Sequence, residues 1–98
     1  MKISEVTYED VKNFIRIDDI SEIEEKEIKT MMKSALEYIK SYTGLSDLEL
    51  DKYEDITHAF FILVVDMFDN RNLYIEGKAS NINKSVECIL GMHSTNLL

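Results

Sequence analysis

His58 and His93 are the only imidazoles this chain can offer as a base or a metal ligand, and neither stands at the spacing of a metal motif such as His-Glu-x-x-His. His58 follows Glu54 and Asp55 by about one helical turn, which predicts a surface pair. A general base would also need a nucleophile or substrate group within reach. Asp66 and Asp69 lie in an apolar stretch, where burial would raise a carboxylate pKa and suggest an active site. Three positions apart on a helix they share a face, so the expectation is a face turned to solvent, a loop or a neighbouring subunit, with Arg71 as counter-charge. Cys88 stands alone, which excludes an internal disulfide and fits a reducing cytoplasm. A lone helical cysteine is ordinarily a small buried apolar side chain.

Other sources of chemistry are as thin. The chain has no glycine-rich phosphate loop, and Asn83-Lys84-Ser85 has the form of a glycosylation acceptor that would matter only on a secretion route. The adjacent Met31 and Met32 are expected to fill core rather than line a peptide groove. Tyr8, Tyr38, Tyr42, Tyr53 and Tyr74 stand among acids, a poor platform for stacked bases. The expectation is therefore a protein that is not an enzyme, with no catalytic residue, no cofactor and no metal.

The charge balance points the same way. Eleven basic against nineteen acidic residues give a net charge of -8. Neutralising phosphate drives most nucleic-acid affinity, and no basic patch is available to do it, so no sequence-specific nucleic-acid binding is expected. Met1 to Val11 carries acids where a signal peptide needs an apolar core. The longest apolar run, Ala59 to Val65, stops at Asp66, far short of the ~20 residues of a membrane span. No membrane association is expected.

The elements that would position these residues form one all-α domain over 1-98. Helices are predicted at about 8-17, 21-43, 56-69 and 81-90, a compact bundle of four. Thr7 precedes the first, whose Val11, Phe14 and Ile15 recur as a buried stripe. Ser21 with Glu24 has the form of a capping box opening the second, and Gly44 is its expected left-handed stop. Between these helices and the next, a single turn around Asp47 to Leu50 could cover the core edge with Leu48 and Leu50. Phe60 to Val65 is rich in strand-favouring residues, but apolar positions 56, 59, 60, 63, 64 and 67 keep helical period and no second strand is present to pair with. Apolar on nearly all sides, this third helix should be central. Leu73, Tyr74 and Ile75 fall in a loop where a monomer has little to bury them. Gly91 is expected to end the last helix, leaving 92-98 as a loose tail.

In this order the elements resemble a known family. The pattern runs Thr7-x-x-x-Val11-Lys12-x-Phe14-Ile15-Arg16-Ile17-Asp18, an acidic turn, a long helix ending Ala35-x-x-x-Ile39-x-x-Tyr42-Thr43-Gly44, an apolar helix closing in Asp69-Asn70-Arg71, and a short final helix. It resembles the head-tail connector proteins of tailed bacteriophages, also called head-completion or DNA-packaging adaptor proteins. The resemblance implies a structural virion protein that meets the host cytoplasm during assembly. It implies a homo-oligomeric ring that docks beneath the portal protein, extends the DNA channel and receives neck or tail-completion proteins. Phe14 to Asp18 and Thr43-Gly44 match positions that are structural in the family, and Arg71 matches its recurring arginine. Arg71, Leu73, Tyr74 and Ile75 are thus the expected subunit interface. The chain departs from the pattern after the last helix, where Gly91-Met92-His93-Ser94 stands in place of a basic residue. The competing expectation, from charge and size, is a small acidic helical adaptor or inhibitor that binds a basic protein partner.

Overall fold

In the computed structural model the described residues are 1-16, 21-70 and 84-93. All their regular elements are helical. A 3-10 turn, Ile3–Glu5, precedes α1 (Tyr8–Ile15), α2 (Glu22–Thr43), the single-turn α3 (Asp47–Leu50), α4 (Glu54–Asp69) and α5 (Lys84–His93).

Local hydrogen bonds set the helix starts. The Thr7 hydroxyl accepts from the Asp10 amide at 3.2 Å and the Asp10 carboxylate accepts from the Thr7 amide at 3.0 Å, which satisfies two amides that the first turn would leave bare. Ser21 and Glu24 repeat the arrangement at α2, and Ser46 and Glu49 at α3. Gly44 ends α2 at φ 72, returning its amide to the Lys40 carbonyl at 2.9 Å. Just inside that end, Thr43 is fully buried, its hydroxyl donating to the Ile39 carbonyl and accepting from the Leu45 amide. α1 stops earlier than its apolar spacing predicts, because Arg16 turns left-handed at φ 64 and caps the helix through Lys12.

α4 is the central element. It packs against α1, α2, α5 and the N-terminal turn, and buries Ile56, Ala59, Phe60, Leu63, Val64 and Met67. These side chains point to several sides of the helix, so its neighbours must surround it, and each buried side chain larger than Ala59 contributes roughly 1.5 to 3 kcal/mol. Ile28, Ala35 and Ile39 of α2 and Val86 and Leu90 of α5 complete the core.

Three sequence expectations give way to the tertiary arrangement. Phe14 is exposed, at 43%, and stacks on Phe61 at 4.9 Å between centroids. Val11 alone is fully buried on α1, while Ile15 is partly buried against the core. Leu50 of α3 is buried as expected, but Leu48 is 80% exposed. α5 passes through Gly91 to His93, because Gly91 takes no left-handed turn and the buried stripe of Val86 and Leu90 extends one more turn to His93.

The N-terminal turn is tied across the fold. The Ser4 amide and hydroxyl donate to the Asp51 carboxylate at 3.1 and 2.8 Å, and the Thr57 hydroxyl donates to the Met1 carbonyl at 2.9 Å. These bonds hold Ile3 against α4, where it forms one wall of a groove.

Candidate interaction surface

The residues singled out for chemistry separate in space. His58 is exposed and forms no ion pair among the described residues, so the expected pairing with Asp55 or Glu54 is not made. The Asp55 carboxylate instead meets His93, whose Nε2 lies 2.9 and 2.8 Å from its two oxygens. The His93 ring also lies against Tyr53, 4.2 Å between centroids. His93 thus closes the end of α5 onto the start of α4, a structural clasp across 38 residues of chain. The expected stop at Gly91 would place His93 in the tail, whereas the helix carries it to its last turn. Its signal was the spacing Val86, Leu90, His93, which continues the buried face.

Asp66 is partly buried and accepts from the Asn70 side-chain amide at 3.2 Å, while the same amide donates to the Asp66 carbonyl at 3.1 Å. Asp69 is exposed. The pair therefore belongs to the end of α4, with one member on solvent. Cys88 is exposed, against expectation, because it faces away from the side of α5 that carries Val86 and Leu90. Among the described residues no group of three or more His, Cys, Asp or Glu side chains could hold a metal, and no helix is long and apolar enough to cross a membrane. Arg71, Leu73, Tyr74 and Ile75, expected at the subunit interface, lie outside the described residues, as does 94-98 of the expected tail.

What the described surface does present is a groove of about 400 Å³ between the N-terminal turn, α2 and α4. Its floor is apolar, formed by Ile3, Val6, Met32, Leu36 and Phe60. Met32, expected as core filler, packs on the core with one side and lines this groove with the other. The rim is polar and cationic, carrying Tyr8, Lys29 and Lys33. Lys29 lies over the Tyr8 ring, 5.3 Å from its centroid, and 4.0 Å from the Glu25 carboxylate. Burial, and then the charges of Glu25, Glu9 and Glu24, hold the Tyr8 phenol above its ordinary pKa. Lys33 is exposed and has no ion-pair partner among the described residues.

A second surface feature lies at α3. Its one turn is held by contacts at both ends. The Ser46–Glu49 cap closes its start, Lys40 meets Asp47 at 3.1 Å, and Asp51 receives Ser4. The Asp47 hydrogen bond, followed by its charge, holds the Lys40 ammonium above its usual pKa. The Ser46 hydrogen bonds hold the Glu49 carboxyl below its usual pKa. On this fixed turn Leu48 projects into solvent between Asp47 and Glu49, although leucine is among the residues most often buried.

Both features have the chemistry of contact surfaces: apolar area to remove from water, and charges at the edge to set orientation. Neither brings a nucleophile to a base. Comparison with protein-family models, curated proteins and solved structures finds no match for this chain.

Proposed function

We propose that the chain is a structural virion protein, the subunit of a head-tail connector ring that docks beneath the portal and extends the DNA channel. The observation that carries the reading is the ordered sequence pattern. Its Arg16 and its Thr43-Gly44 fall where α1 and α2 terminate, and its apolar stretch is the central α4. A residue pattern that coincides with helix ends and core is what a shared architecture requires.

Electrostatics support the same reading. A ring that lets DNA slide must not grip phosphate, and a subunit of net charge -8 repels it. Under this proposal the chain has no catalytic role, and its partners are further copies of itself, the portal protein and the neck or tail-completion proteins. The contacts assigned to Arg71, Leu73, Tyr74 and Ile75 remain part of the proposal.

The test is reconstitution. Purified chain mixed with the portal of the same genome should co-sediment as a ring-bearing assembly visible by electron microscopy. Arg71→Ala or Leu73→Asp should weaken that assembly while leaving helix content intact. No binding to any portal or neck protein of that genome would reject the proposal. A salt-sensitive one-to-one complex with a basic protein would favour the adaptor reading in its place.

A further inference from the structure

We infer that copies of this chain contact one another head to tail, Leu48 of one copy inserting into the apolar groove between the N-terminal turn and α2 of the next. The inference rests on the proposal that copies assemble, and it names the two surfaces that meet.

The groove selects its occupant by chemistry. Its floor is apolar, and its rim carries Lys29, which already lies 4.0 Å from the Glu25 carboxylate, and Lys33, which has no ion-pair partner among the described residues. It therefore suits a short apolar side chain flanked by carboxylates. The chain itself presents one: Leu48, 80% exposed, between Asp47 and Glu49 on a turn already braced by Ser46, Lys40 and Ser4. A preformed turn loses little conformational freedom on docking, which removes a main cost of association. Other strongly exposed apolar side chains fit less well. Ile23 also stands among carboxylates, but on the first turn of a long helix that presents it along a broad face. Met92 has no acidic neighbour in sequence.

Leu48 does not line the groove of its own chain. Knob and groove are thus different patches, and a contact between different patches is heterologous: it leaves one knob and one groove free at the ends, and propagates until it closes into a ring or extends as a filament. Two copies at net charge -8 repel at long range, but at physiological ionic strength this repulsion is screened beyond about 8 Å. Lys40 already holds Asp47, so the pairing of Lys33 with Glu49 on the other side of Leu48 then sets the register.

Sedimentation of the full chain, from micromolar to about millimolar concentration at physiological salt, reads the contact. The wild type should show concentration-dependent association, and Leu48→Asp and Lys33→Glu should each weaken it by about tenfold or more. Leu48 and Lys33 are both exposed, so circular dichroism should report unchanged helix content, and Leu48→Ala serves where the aspartate disturbs α3. In a Cys88→Ser background, a chain with Leu48→Cys and one with Lys33→Cys should form a disulfide-linked dimer only when mixed. A wild type that stays monomeric throughout, or association indifferent to Leu48 and Lys33, overturns the inference. Portal binding without this contact would leave the connector reading standing alone. Association through Leu48 without portal binding would leave only the contact.

Discussion

The imidazole of His93 sits 2.8 Å from the carboxylate of Asp55 and against the ring of Tyr53, joining the last turn of α5 to the first turn of α4. Its side chain is 16% exposed and that of Asp55 42%, so the pair lies at the core's edge. α5 otherwise holds its place through few large side chains, chiefly Val86 and Leu90. The clasp therefore sets where the end of the helix docks.

His93→Ala should lower stability by about 1 kcal/mol, the ordinary net worth of a partly exposed hydrogen bond and ring contact. Urea unfolding of His93→Ala, Asp55→Asn and the double variant gives the coupling directly. Additive losses would mean that the two residues act independently and that the clasp is incidental.

Backbone conformation makes a three-way prediction. Gly91 is helical and an added Cβ meets nothing within 4 Å, so Gly91→Ala should stabilise by about 1 kcal/mol. Gly44 stands at φ 72 and Gly44→Ala should destabilise by a similar amount, about 1 kcal/mol. Arg16 stands at φ 64 with a side chain exposed, so Arg16→Gly should stabilise by about 0.5 to 1 kcal/mol. Thermal unfolding of the three variants checks the signs together.

Packing predicts a contrast between phenylalanine and leucine. Leu63, 1% exposed on α4, should cost about 2 to 5 kcal/mol when cut to alanine. Phe14→Ala should cost only about 1 kcal/mol, the value of its stack on Phe61. Equal losses in a denaturant titration would show that Phe14 belongs to the core.

Two surface groups predict pH dependence of opposite sign. Glu49 is held below its ordinary pKa by Ser46. Its contribution is present above the unfolded glutamate pKa and is lost as pH falls through the lower folded value. Lys40 is held above its ordinary pKa by Asp47, so its contribution is present below the unfolded lysine pKa and is lost as pH rises through the higher folded value. Ser46→Ala should flatten the acid limb of the stability profile, and Asp47→Asn the alkaline limb. Carboxyl chemical shifts of Glu49 followed by NMR should titrate below the ordinary glutamate range.

Helix class, the cap pair at Ser21–Glu24, Thr7 as the cap of α1, the stop at Gly44 and the central place of α4 were all readable from residue order. Each depends on groups within about a turn of one another or on an apolar period, and both are written in the spacing of residues along the chain. The one-turn helix at Asp47–Leu50 was readable too, but not the fate of its two leucines. Leu48 and Leu50 have the same character and differ only in which side of one turn meets the core.

The same division holds for the chemistry the chain could offer. Residue types alone placed no catalytic motif among the two histidines, the paired aspartates and the single cysteine. Which carboxylate His93 would meet, whether Gly91 would turn or continue, and that Met32 and Leu36 would floor a groove beneath Lys33 were decided by how α2, α4, α5 and the N-terminal turn lie against one another. Periodicity tells each helix which face to bury. It leaves open the angle and register at which two such faces join, and at the edges of that join the clasp and the groove arise.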